Sequence, residues 1–255
     1  MAKLTQQVVF GVLLSLYIIL FSPFALASGA EDLYENTKDS IFTIFSINEE
    51  NKGKSALGSG VAVSKNLIAT NCHVALAGNF LVIEINKEDL LGRLFYYNQE
   101  KDICLIEIVG ATLQPVNIRP SKSVKIGEEV FAIGNPEGQM KTISKGIISN
   151  KQNENGTELL QTDASISHGS SGGGLFDING NLIGIITKSL KEGDNIGFAI
   201  PTELILAIIN PQKTNAKTDH INTEKSNVVS SNEETSLTKN TYAENDEELK
   251  RIGYY

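Results

Sequence analysis

Apolar residues in this chain fall in short runs, at residues 41–47, 59–63, 80–85, 102–108, 129–133, 182–187 and 196–200. Glycine, proline and asparagine punctuate them, and few stretches carry a helical period. Many short strands with turn signals predict an all-β domain, built as a sandwich or as barrels. Pro201-Thr202-Glu203 followed by apolar residues 204–209 predicts one short C-terminal helix, stopped by Asn210-Pro211.

The two ends follow other patterns. Lys3 precedes an uncharged apolar run at residues 8–21, and Ala25-Leu26-Ala27 follows it. That order is the signature of a cleaved secretory signal. A retained N-terminal anchor is the competing reading, because residues 8–27 nearly reach the length of a bilayer span. Pro23 and the A-x-A site favour cleavage. Residues 211–255 are dominated by Asn, Ser, Thr, Glu and Lys. They hold too little apolar surface to offset the entropy of ordering, so a disordered polar tail is expected there. The chain thus divides into a signal peptide at 1–27, one β-rich domain at 28–210 and the tail at 211–255.

Charge and cysteine usage narrow the function classes. The net charge is -8, and cleavage would remove Lys3 and no acid, giving -9. Such a chain does not attract phosphates through its overall field, which argues against nucleic acid as a partner. No long apolar stretch follows residue 27, so no membrane association is expected after signal cleavage. The two cysteines, Cys72 and Cys104, form no C-x-x-C pair, and His73, His168 and His220 are scattered. Neither a metal site nor any other cofactor is expected. Export to the periplasm or beyond would place both cysteines where a disulfide can form.

Three segments carry chemistry. In Gly169-Ser170-Ser171-Gly172-Gly173, Ser171 is a candidate nucleophile on a tight turn. Glycine two residues earlier lets the backbone aim N–H groups at a developing oxyanion. In Ala69-Thr70-Asn71-Cys72-His73-Val74, His73 follows an apolar strand and opens a helical turn. A neutral imidazole there can take the serine proton and return it to a leaving amine. In Lys101-Asp102-Ile103-Cys104-Leu105-Ile106, Asp102 begins an otherwise apolar strand. A carboxylate so placed needs a partner, and a histidine ring N–H is a suitable one. Singly these could be a flexible turn, a core histidine and an exposed strand-end acid. Together they follow the chymotrypsin order His, Asp, Ser, each in the local context that order requires.

Residues 57–200 resemble the HtrA (Deg) group of trypsin-like serine proteases. The likeness is carried by Gly58-Ser59-Gly60-Val61, the histidine and aspartate segments, Val130-Phe131-Ala132-Ile133-Gly134-Asn135-Pro136, Thr162-Asp163-Ala164-Ser165-Ile166, the serine loop and Gly197-Phe198-Ala199-Ile200-Pro201. It implies two perpendicular six-stranded β-barrels of the chymotrypsin type, with the triad His73, Asp102 and Ser171 in the cleft between them. It also implies an oxyanion hole from Gly169 and Ser171. Departures fall in the serine loop, where His168 and Ser170 replace the family's usual Pro and Asn. Only 45 residues follow Asn210, so the family's C-terminal PDZ domain is expected to be missing, and no oligomeric state is carried over.

The expected function is hydrolysis of unfolded or damaged exported polypeptides. Alternatives are an effector protease with one protein target and a non-catalytic binder or chaperone on the same fold. Ser165, six residues before Ser171, stands where trypsin-like enzymes keep an acid for Lys or Arg. An apolar residue before the scissile bond is therefore expected. His168 is read as a rim residue. Gly58-Ser59-Gly60 is read as a glycine pair in a barrel strand, and Asn155-Gly156-Thr157 as a hairpin turn. Cys72 abuts His73, and Cys104 lies two residues past Asp102, on the same face if both are in a strand. A Cys72–Cys104 disulfide is expected, against the alternative of two small buried thiols. The leader reading makes a direct prediction: the exported protein begins at Ser28 on N-terminal sequencing. An N-terminus still carrying residues 1–27 would favour the anchor.

Overall fold

The computed structural model describes residues 29–48, 53–135, 141–154, 156–190, 196–210 and 227–228. The expected signal peptide and nearly all of the expected tail lie outside the described residues.

Twelve strands make two closed rings. The first contains β1 (Ile41–Asn48), β2 (Gly53–Ala62), β3 (Leu67–Thr70), β4 (Phe80–Ile85), β5 (Glu88–Asn98) and β6 (Ile103–Ile108). They pair in the order β4-β1-β2-β3-β6-β5, and β5 closes the ring onto β4. The second contains β7 (Glu129–Gly134), β8 (Thr142–Glu154), β9 (Thr157–Thr162), β10 (Gly174–Asp177), β11 (Leu182–Leu190) and β12 (Ile196–Pro201), paired β10-β11-β12-β9-β8-β7. Every pairing in both rings is antiparallel. This is the chymotrypsin-like pair of six-stranded barrels that the resemblance implied. Among the described residues, three short α-helices accompany it: α1 (Ala30–Thr37), α2 (Cys72–Ala75) and the expected C-terminal α3 (Glu203–Ile209).

The strand period of two explains where the core sits. In β6, Cys104, Ile106 and Ile108 point into the first barrel with Ile44, Ile68 and Ile83. Ile103 and Leu105 point the other way, into a cluster shared with Phe131, Ile133, Phe176 and Ile185 of the second barrel. Val130, Ala132, Leu160, Leu175 and Ile183 fill the second barrel. Strands at the junction are buried on both faces, which is why β6 reads as a nearly unbroken apolar run. The connection between barrels is tied down as well. Arg119 bonds Asp177 at 3.0 Å, and Thr202 Oγ1 donates to the Arg119 carbonyl at 2.8 Å.

Gly156, at φ 79°, lies between β8 and β9, where the hairpin turn was expected, and Asn155 lies outside the described residues. In the stretch expected to be disordered, Asn227–Val228 (β13) pair antiparallel with Tyr97 and Tyr96 of β5.

Phe176 is fully buried at the junction and packs with residues of both barrels. Phe176→Ala is expected to cost about 3–5 kcal/mol, read as a lower urea midpoint. A loss below about 1 kcal/mol would mean that the junction is not a packed core.

Candidate active site

β3 ends at Thr70, and Asn71 in extended conformation (φ -81°, ψ 147°) leads into the single turn of α2. Cys72, Val74 and Ala75 bury themselves in the first barrel, which leaves the His73 side chain facing outward, 51% exposed. Its Nδ1 lies 2.8 Å from Asp102 Oδ2, and its backbone N–H donates to Asp102 Oδ1 at 2.9 Å. Asp102 stands just outside β6 at φ 52°, a left-handed conformation that aspartate tolerates better than most residues. Its carbonyl accepts from Asn71 Nδ2 at 3.1 Å and from the Cys72 N–H at 3.4 Å. The sequence placed Asp102 on the strand itself. The structure corrects this, so a shared strand face is not what brings the cysteines together. The β3–β6 register sets Cys104 opposite Thr70, under α2, and the Cys72–Cys104 disulfide forms there with a Cα–Cα distance of 5.0 Å. It links residues 32 apart, which by loop closure stabilises by about 3–4 kcal/mol.

The serine loop comes from the second barrel. Gly169 and Gly172 sit at φ 88° and 86°, values that favour glycine. A Cβ on Gly172 would also come within 2.0 Å of the Ser59 carbonyl oxygen. Ser170 N–H bonds to Ser167 O at 3.0 Å, Gly172 N–H to Ile186 O at 2.8 Å and Gly173 N–H to Ser170 O at 2.9 Å. Among the described residues, the N–H groups of Gly169 and Ser171 meet no acceptor. Those are the two groups expected to face an oxyanion. The Ser171 hydroxyl is half-buried and donates to the Thr187 carbonyl at 3.0 Å. Thr187 Oγ1 in turn donates to Asp102 Oδ2 at 2.8 Å. Thus the Ser171, Asp102 and His73 side chains are joined through one threonine. Ser165, Ser167 and His168 are exposed in the same loop, and Ile166 packs against Gly197 of β12. Among the described residues, no group of three or more His, Cys, Asp or Glu side chains gathers as metal ligands would.

Comparison with known proteins agrees with this geometry. A family profile described as a trypsin-like peptidase domain matches residues 58–185. The chain belongs to the trypsin-like peptidases. Within them it is HtrA (Deg)-like. It is 39% identical over 166 residues to the periplasmic serine endoprotease DegP of Escherichia coli (strain K12), covering 59% of this chain and 34% of that one. It is 32% identical over 171 residues to a probable periplasmic serine endoprotease, DegP-like, of Pseudomonas putida (strain W619), covering 64% and 36%. Among solved structures, a serine endoprotease from Yersinia pestis superposes with TM-score 0.64 at 31% identity, covering 72% of this chain and 66% of that one. The HtrA-type protease AlgW, solved with a tripeptide, gives 0.65 at 29%, covering 72% and 64%. The chain spans about a third of the length of the curated relatives, 34% to 36%.

In this trypsin-like peptidase the sequence pointed to His73, Asp102 and Ser171, and the fold brings all three to the barrel junction. It missed Thr187. A lone threonine at the end of an apolar run carries no signal. Its orientation comes from an irregularity in β11, where the pairing with β12 jumps from Ile186 to Lys188. Burial pushes the Asp102 carboxyl up, but bonds from the His73 ring, the His73 N–H and the Thr187 hydroxyl prevail and hold it below the ordinary carboxylate range. The stability contributed by the ionised form is therefore complete above about pH 4, the ordinary unfolded value, and is lost as pH falls through the lower folded value. The difference in unfolding free energy between the parent and Asp102→Asn is expected to move against the parent as urea titrations step below about pH 4. A difference flat across that range would mean that the carboxylate is not held by these bonds.

Proposed function

We propose that this peptidase domain is a serine endopeptidase that cleaves exported polypeptides through an acyl-enzyme, with His73, Asp102 and Ser171 as its triad. The observation that carries the reading is the chain of contacts His73–Asp102–Thr187–Ser171, which joins a base and its orienting acid on one barrel to a hydroxyl on the other.

The chemistry runs through named atoms. Ser171 Oγ swings from the Thr187 carbonyl toward His73 Nε2 as substrate binds. Such hydrogen bonds commonly tighten only in the loaded enzyme. His73 takes the hydroxyl proton as Oγ attacks the scissile carbonyl, and Asp102 holds the Nδ1 proton and stabilises the imidazolium. The negative oxygen is received by the N–H groups of Gly169 and Ser171, which meet no acceptor among the described residues. His73 gives its proton to the departing amine. Water then repeats the sequence on the ester, releasing the acid and restoring Ser171. No cofactor is needed.

Substrate preference follows from what lines the loop. Ile166 leans on Gly197, and Ser165 carries no charge. A buried Lys or Arg side chain would find no counter-charge there, so a small or medium apolar residue before the scissile bond is favoured. The periplasmic relatives and the buried Cys72–Cys104 bridge support an exported, oxidising setting, in the periplasm or outside the cell. Unfolded or damaged polypeptides are the proposed substrates.

The test is a fluorophosphonate probe on purified protein, with the adduct located by mass spectrometry, beside turnover of denatured casein and short peptides. The adduct is expected on Ser171. Ser171→Ala is expected to remain folded and to lose on the order of 10⁵-fold or more in kcat. Turnover retained by a pure Ser171→Ala variant would overturn the proposal.

A further inference from the structure

Ser59 lies in β2, opposite Thr43 of β1, and is fully buried. Read as part of a glycine pair, it had no task in the sequence. In the structure it makes four bonds. Its N–H donates to the Ser171 carbonyl at 2.7 Å, and its own carbonyl accepts from Thr70 Oγ1 at 2.7 Å. Its hydroxyl donates to the Gly169 carbonyl at 2.7 Å and accepts from the Asn135 N–H at 2.8 Å. One residue of the first barrel thus grips two carbonyls of the serine loop in the second.

A peptide unit is a rigid plane, so holding its carbonyl fixes the whole unit. The Gly169 carbonyl belongs to the unit joining Gly169 to Ser170. The Ser171 carbonyl belongs to the unit joining Ser171 to Gly172. Between them lies a single unit, the one that carries the Ser171 N–H. The Gly169 N–H lies one residue away from the first held plane, across the φ and ψ of Gly169. That residue is a glycine at φ 88°, with no Cβ to restrain it. Without the Ser59 hydroxyl, only the Ser171 side of the loop would stay anchored to the first barrel.

We propose that the Ser59 hydroxyl is a positioning group that holds the free N–H groups of Gly169 and Ser171 in convergence on the oxyanion site. This rests on the endopeptidase reading above. Ser59 does not touch substrate, so its effect falls on the rate of bond-making and spares binding. It is separate from the His73–Asp102 pair, so it leaves the acid limb of the pH profile in place.

The experiment compares the parent, Ser59→Ala and Ser59→Thr. Steady-state kinetics on a short peptide and native-state exchange of the Ser170 amide, which shares the Gly169 peptide plane and bonds to Ser167 O, are the readouts. In Ser59→Ala, kcat is expected to fall about tenfold or more, short of the loss expected for deleting an oxyanion donor, with KM within about twofold. The acid midpoint of kcat/KM stays put, and Ser170 exchange speeds by about tenfold. Ser59→Thr, which keeps the hydroxyl, recovers most of kcat. A folded Ser59→Ala with parental kcat, a loss carried by KM, or a folded Ser59→Thr as slow as Ser59→Ala would overturn the proposal. If Ser59→Ala does not fold, Ser59→Cys keeps the volume with a weak donor and carries the same comparison. If the parent itself neither turns over nor labels, the endopeptidase reading fails. The Ser170 exchange then decides the anchoring role alone, unchanged exchange overturning it.

Discussion

The Asp102 carboxylate, set at the edge of two barrels, is the constraint on which the site depends. It is partly buried, 27% exposed, and finds its donors in the protein. The first barrel offers the ring and the backbone N–H of His73, and the second offers the hydroxyl of Thr187. Satisfying one acid therefore fixes the imidazole and ties the two halves of the chain together beside the serine. The backbone of Asp102 is held too, by Asn71 and Cys72, and the disulfide from Cys72 to Cys104 fastens the same turn to β6.

Apolar packing makes that constraint possible. Ile103 and Leu105 of one barrel share a core with Phe131, Ile133 and Phe176 of the other. The polar contacts lie at the margin of this core, where the donors are already in place before any ligand arrives. Preorganisation of this kind is what charge development in a water-poor cleft requires. The glycines serve the same end. Gly172 lets the serine loop press against the Ser59 carbonyl, where any side chain would collide.

Much of this was legible in the chain, and the reason is local. The serine loop, the histidine turn and the apolar run beginning after Asp102 each encode their own geometry in contiguous residues. The strands β1, β2, β4, β6, β7, β11 and β12, each with a face in a core, announced themselves by their apolar runs, whereas β10, buried throughout, is too short at four residues to do so. β5 and β8 did not, because most of their residues are exposed or half-buried and their pairing is decided by neighbours in the ring. α1 was missed because Leu33 is its one deeply buried apolar residue. Thr187 and Ser59 were silent for a different reason. The hydroxyl of each reaches across to the other barrel, from Thr187 to Asp102 over 85 residues and from Ser59 to Gly169 over 110. No local pattern reports such a contact.

The central claim is that one constellation spanning the barrel junction performs the chemistry. A crystal structure of the phosphonylated protein tests it most directly, because the adduct imitates the tetrahedral intermediate. The account predicts phosphorus bonded to Ser171 Oγ, which has left the Thr187 carbonyl, and His73 still paired with Asp102. It also predicts one phosphoryl oxygen at about 2.7–3.1 Å from the N–H groups of both Gly169 and Ser171. An adduct on another residue, or an oxygen turned away from those two groups, would contradict it.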